Sequence, residues 1–267
     1  MKIGVCIGSS LWKAEYLKEY GYDFAELCVA DFGKFTQTEY DEYKEKVKNL
    51  KVPAVSANCY LPGSLKINRL QRDDAVIEDY VRLTAKRASG LGIERIVFGS
   101  GSARKCPDEL SREECLEDIV HFIGKVAAPE LAKYGIRLLI EPLAGVFCNM
   151  ITAVKEGVRI VEELGLDNVL CLADNYHMDH EGEELTSISE YRGKVLHSHI
   201  STQDISVPGY GRYFPKEDDG YDLTPFTSSL IKCGCDMCAI EAETTDETFA
   251  KDAELAIEVI KKAIMKG

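Results

Sequence analysis

RLLIEPLAGVFCNMITAVKEGVRIVEELGLDNVLCLAD, residues 137–174, opens and closes on apolar runs, RLLIE (137–141) and VLCLAD (169–174), each ending in a carboxylate. The residues between them, 152–165, read as a helix. Strand, helix and strand in this order make a crossover unit whose strands run parallel. The same alternation extends outward in both directions. Upstream lie KIGVC (2–6), FAELC (24–28), AVSAN (54–58) and RIVF (95–98); downstream lie VLHSH (195–199) and MCAIE (237–241). Helices are expected at 11–20, 37–49, 72–91, 111–134, 152–165, 180–190, 224–232 and 246–266. Within 72–91, Val76, Ile77, Tyr80, Val81, Leu83 and Thr84 follow a period near 3.6, with charges between them. Thr245 or Asp246 is the expected N-cap of the last helix. Eight strand–helix units favour a closed barrel over an open doubly wound sheet. At 267 residues the chain is close to the ~250 typical of one (β/α)₈ barrel, so residues 1–267 are read as a single TIM-barrel domain of the α/β class.

Composition bounds the function. A formal net charge of −13 without an evident basic patch argues against nucleic acid or an anionic membrane as partner. No apolar run approaches the ~20 residues that span a bilayer. MKIGVCIGSS at the N-terminus reads as a first strand and not as a signal peptide, so a cytoplasmic location is expected. Ten cysteines invite a disulfide or metal reading. Cys6, Cys28, Cys59 and Cys171 fall in or beside strands, where a small buried thiol is the simpler account. Cys235 and Cys238 form a C-x-x-C, but no second pair stands at zinc-ribbon spacing. Reduced thiols are therefore expected, without a disulfide framework.

Four residues carry the chemistry. Glu141, Asp174 and Glu241 close their strands, and His199 lies at the end of VLHSH. In a barrel, these strand ends converge on the face where active sites are built. One such carboxylate is as easily a helix cap or a solvated loop residue. Four on consecutive strands, buried together, would carry uncompensated charge unless a cation joined them. Oxygen-rich ligation with one imidazole suits one Mn²⁺ or Mg²⁺, with Co²⁺ or Zn²⁺ as alternatives.

IEPL (140–143), DNYHM (174–178), the histidine of HSHIS (197–201) and AIEAE (239–243) resemble the xylose-isomerase-like TIM barrels. The sugar phosphate isomerase/epimerase branch that includes D-tagatose 3-epimerase is the most similar. VFGSGSARKCPDEL (97–110) is similar to the strand-four loop of sugar phosphate isomerase/epimerase homologues. The resemblance implies metal ligation by Glu141, Asp174, His199 and Glu241, and a substrate contact at His177. It further implies that Glu141 and Glu241 are a catalytic acid/base pair. A proton α to a carbonyl is weakly acidic, so a metal polarises the carbonyl and stabilises an enediolate while one carboxylate removes the proton and the other returns one to the opposite face. The implied function is a metal-dependent isomerase or epimerase of a small sugar.

One departure stands out. The branch continues EPL with Asn-Arg and places a glutamate six residues beyond the metal ligand. Here Ala144, Gly145 and Phe147 occupy those positions, which makes that side of the pocket apolar. Further substrate-binding candidates are Arg104, beyond the Gly99-Ser100-Gly101 loop, Glu26 and Asn58 at the ends of strands two and three, and Arg212. Trp12 and Tyr60 are candidates to stack on a sugar face. Residues 201–222, rich in Gly, Pro and Tyr, read as a lid, with Pro-Gly-x-Gly at 208–211 resembling the matching loop of the epimerases. Alternatives are a dehydratase or keto-acid isomerase that begins with the same proton abstraction, a non-catalytic sugar-binding barrel, and an endonuclease IV-like nuclease, against which the acidic site and the five histidines argue. Homo-oligomerisation through the surface helices is left open.

Overall fold

Residues 1–203 and 211–266 are described in the computed structural model of the chain. Eight strands, β1 (Lys2–Cys6), β2 (Phe24–Cys28), β3 (Ala54–Asn58), β4 (Arg95–Phe98), β5 (Arg137–Ile140), β6 (Val169–Asp174), β7 (Val195–Ile200) and β8 (Met237–Ile240), follow one another in a closed parallel barrel. β8 pairs with β1 through Lys2↔Met237 to Val5↔Ile240, which removes both sheet edges. The architecture is a (β/α)₈ TIM barrel. The strands were legible because each is an apolar run that the helices bury on one side and the barrel interior on the other.

The helices are α1 (Ala14–Tyr20), α2 (Val29–Lys34), α3 (Gln37–Lys48), α4 (Asp74–Gly90), α5 (Gly101–Arg104), α6 (Arg112–His121), α7 (Ala128–Ala132), α8 (Val154–Leu164), α9 (Asn175–His180), α10 (Thr224–Cys233) and α11 (Phe249–Lys266). A π-helical segment, Phe122–Ala127, joins α6 to α7. The helix expected at 180–190 is instead split: α9 sits earlier, Gly182 takes a left-handed φ of 65°, and a 3₁₀ segment covers Leu185–Glu190. α11 begins three residues later than expected, at Phe249, whose N–H donates to the Thr245 carbonyl. Among the described residues no helix is long and apolar enough to cross a membrane.

Strand periodicity decides what faces the barrel axis, because alternate side chains point to opposite faces. Val97, Leu139, Leu170 and Leu172 form one interior cluster and Phe24, Met237 and Ala239 another. Gly4 is required beside the second, since a Cβ there would collide with the Phe24 ring. Continuing each strand by two residues from these interior positions leads from Leu139 to Glu141, from Leu172 to Asp174, from Ala239 to Glu241 and from Phe24 to Glu26. The polar site is thus the upper layer of the apolar barrel core.

One cysteine expectation is corrected. Cys106 and Cys115 form a disulfide, their Cα atoms 5.6 Å apart. The turn between α5 and α6 sets the two residues at bridging distance. Cys233, Cys235 and Cys238 are free and buried, packed as small apolar groups.

Candidate active site

Glu141, Asp174, His199 and Glu241 come together from β5 to β8: one ligand atom from each lies within 4.8 Å of all the others. Asp174 and His199 are register partners on neighbouring strands. Glu141 and Glu241 each stand one residue past the end of their strand and reach the same nitrogen. Nδ1 of His199 is 2.9 Å from Glu141 Oε1, 3.1 Å from Glu241 Oε2 and 3.9 Å from Asp174 Oδ2. Three carboxylates and an imidazole nitrogen, all buried or nearly so, are a hard donor set of the kind that binds Mn²⁺ or Mg²⁺. The residues therefore fit the divalent ion that the sequence implied.

The carboxylates draw two positive groups of the chain itself. Arg212 straddles them, with Nη1 donating to Glu241 Oε2 and Nη2 to Asp174 Oδ2, both at 2.6 Å. Its guanidinium lies 4.8 Å above the Tyr176 ring. Burial opposes ionisation of Glu241, yet Arg212 and His199 hold its carboxyl well below the usual range. Burial likewise opposes charge on His199, but Glu241 and Glu26 raise it well above an ordinary imidazole.

Beneath this layer Glu26 is fully enclosed. Its carboxylate accepts from His199 Nε2 at 2.7 Å, His197 Nε2 at 2.8 Å, Ser56 Oγ at 2.6 Å and Cys6 Sγ at 3.2 Å. Glu26 therefore faces histidines, not the substrate hydroxyls expected from its strand-end position. Cys6, Glu26 and His199 also lie close enough to share an ion, but hydrogen bonds among them already fill that space.

Above the four carboxylate and imidazole groups opens a cavity of about 460 Å³. Asn58 lines it and donates to Glu241 Oε1 at 2.8 Å, which orients that carboxylate. His177 lines it too. Its Nδ1 accepts from the Ala144 N–H at 3.2 Å, which leaves Nε2–H as a donor near Asp174. Burial lowers the His177 pKa to about 4, so the ring is neutral at physiological pH. Phe147 packs edge-on against His177 and forms, with Leu61, Leu143 and Tyr176, an apolar wall.

Arg104 does not reach the cavity. The short helix α5 turns it inward, where it is 1% exposed and donates to the carbonyls of Phe98 and Glu141. It braces the backbone that carries Glu141 and is not placed to hold an anion. Trp12 packs against Tyr16 and Phe249, and Tyr60 is buried. Of the segment read as a lid, residues 204–210, including most of the Pro-Gly-x-Gly, lie outside the described residues. Beyond them Tyr213 pairs with Thr202 and bridges to Glu243, and this small extension delivers Arg212 to the site. Tyr176, Glu243 and Ser102 line the cavity without having been singled out individually in the sequence; each lay inside a quoted motif, DNYHM, AIEAE and VFGSGSARKCPDEL.

The sequence profile described as "Xylose isomerase-like TIM barrel" matches residues 14–263. The chain belongs to this family. The chain is 24% identical over 214 residues to the 3-dehydro-D-guloside 4-epimerase of Escherichia coli, covering 75% of this chain and 77% of that protein. It is 23% identical over 212 residues to the D-psicose 3-epimerase of Agrobacterium fabrum, covering 74% and 69%. Among solved structures, D-psicose 3-epimerase from Clostridium cellulolyticum with D-tagatose superposes with a TM-score of 0.82 at 15% identity, over 99% of both chains. That likeness speaks for the shared barrel.

Proposed function

We propose that this family member is a divalent-metal-dependent epimerase of a small, uncharged sugar or sugar derivative, working through an enediolate, with Mn²⁺ as its ion. The observation that carries the reading is the convergence of Glu141 and Glu241, from β5 and β8, on His199 Nδ1 at the floor of a sugar-sized cavity. The names of both curated relatives are those of sugar epimerases. Glu141, Asp174, His199 and Glu241 would hold the ion. Bound there, it would supply polarisation of the substrate carbonyl.

The chain's own residues do the rest. One glutamate takes the proton from the carbon α to the carbonyl, and the other returns a proton to the opposite face, their roles exchanging with reaction direction. His177, neutral, donates Nε2–H to a substrate oxygen, and Arg212 adds donors at the same rim. An uncharged substrate follows from the lining: its sole Lys or Arg among the described residues is Arg212, already engaged by Asp174 and Glu241. The apolar wall at Phe147 favours a sugar derivative whose far side is not hydroxyl-rich.

Solvent deuterium incorporation tests this. Ketoses, ketose phosphates and keto-glycosides are incubated with the Mn²⁺-loaded protein in D₂O and read by mass spectrometry. Label is expected in an uncharged sugar and is expected to vanish in Glu141→Gln and Glu241→Gln. Label retained in either variant would refute the pair, and label only in phosphorylated sugars would refute the uncharged substrate.

A further inference from the structure

We propose that Glu26 is a positioning residue for the metal-binding imidazole: it holds His199 with its proton on Nε2, so that Nδ1 is left to face Glu141, Asp174 and Glu241. This role rests on the metal site proposed above. Glu26 is 0% exposed and has no Lys or Arg partner among the described residues. An isolated buried carboxylate is costly, and here four donors offset that cost, two on each oxygen. Oε1 takes His199 Nε2 and Cys6 Sγ; Oε2 takes His197 Nε2 and Ser56 Oγ.

An ionised carboxylate only accepts, so each histidine must present N–H to it. For His197 that assignment leaves Nδ1, which is buried and without a hydrogen-bond partner among the described residues, as a bare lone pair. Among the described residues the one polar partner of the His197 ring is therefore Glu26, and His197 serves to hold the second Glu26 oxygen in place. For His199 the consequence lies on the far side of the ring. With no ion bound, both ring nitrogens face carboxylates, Nε2 that of Glu26 at 2.7 Å and Nδ1 that of Glu141 at 2.9 Å; an ion taking the Nδ1 lone pair would displace the proton there, while Glu26 keeps the one on Nε2. β1, β2, β3 and β7 thus supply a polar layer under the proposed metal site, and Glu26 is the group on which that layer converges. A metal-bound histidine whose other ring nitrogen donates to a carboxylate is a general way of fixing ligand geometry, and losing that partner weakens metal affinity about 10–100-fold.

The test compares wild type with Glu26→Ala and Glu26→Gln. Mn²⁺ affinity is read by calorimetry, and the His199 tautomer by long-range ¹H–¹⁵N spectra of the Zn²⁺-loaded, diamagnetic protein. The wild type is expected to show His199 protonated at Nε2. Glu26→Ala, with its fold checked by circular dichroism, is expected to bind Mn²⁺ about 10–100-fold more weakly and to lose that tautomer signature. Glu26→Gln, with one acceptor oxygen for two histidines, is expected to fall between. A wild-type His199 protonated at Nδ1, or folded variants that bind Mn²⁺ within about twofold of wild type, would overturn the role while leaving the metal site intact. Wild-type protein that binds neither ion would overturn the metal site and the role together. The wild-type spectrum decides the tautomer even if both variants unfold.

Discussion

Arg212 shows how much of this site is set by single charges. It contacts two of the four residues that would hold the ion, so it both neutralises them and competes with a cation for them. Unit charges about 4 Å apart interact by about 4 kcal/mol at an effective dielectric near 20, and water entering a truncated site screens most of that. Arg212→Ala is expected to tighten Mn²⁺ binding by roughly tenfold while lowering kcat/KM by about 10²-fold; weaker Mn²⁺ binding by calorimetry would contradict this. His177 makes a pH prediction. Its folded pKa of about 4 lies below the ordinary 6.5, so the unfolded chain binds the extra proton first. Its contribution to stability is therefore complete above about pH 6.5 and declines as pH falls toward 4. NMR titration should find the ring uncharged above pH 5, and His177→Asn should flatten the stability profile in that window. That Glu141, Asp174, His199 and Glu241 sit at neighbouring strand ends could be read from residue type and strand position alone. Glu26 and Arg104 could not, because a strand-end acid and a loop arginine look the same in sequence whether they face solvent or are turned under the site.

At the level of elements, the strand ends and the turns just beyond them control the chemistry. Each run was readable because an apolar strand stops where the polar residue begins, and the observed strands match the expected ones to within a residue. α2, α5 and α9 were not legible, since at four to six residues they are too short to show a helical period. They matter because they aim side chains: α5 buries Arg104, and α9 carries Tyr176 and His177 to the rim. Gly99, between β4 and α5, is the tightest such point, for a Cβ there would collide with Glu141 Oε2. The obstructed group is the free end of a side chain, so the carboxylate can shift without unfolding the turn. Gly99→Ala is expected to leave Tm within a few degrees and to weaken Mn²⁺ affinity by about tenfold; unchanged affinity by calorimetry would show that Glu141 is not held where this geometry puts it.

Across the whole molecule, barrel closure concentrates three carboxylates on one floor in a chain of net charge −13. A bound cation should relieve that repulsion and stabilise the fold. Mn²⁺ at 100 times its Kd is expected to add about 2.7 kcal/mol, a Tm rise on the order of 5–10 °C, reversed by EDTA. The shift should disappear in Asp174→Asn, and a wild-type Tm indifferent to both additions would count against the metal centre. The sequence by itself determined the eight strand–helix units and the residues that end them. Those follow from local physics, since apolar runs form strands and amphipathic runs form helices whatever lies far away. Only the tertiary structure decided which polar groups meet. Closing the sheet sets β2 across the interior from β7, turns Glu26 toward His197 and His199, and brings Arg212 back over Asp174 and Glu241. Hydrogen-bond partners so far apart along the chain are chosen by barrel geometry, and no local pattern records that choice.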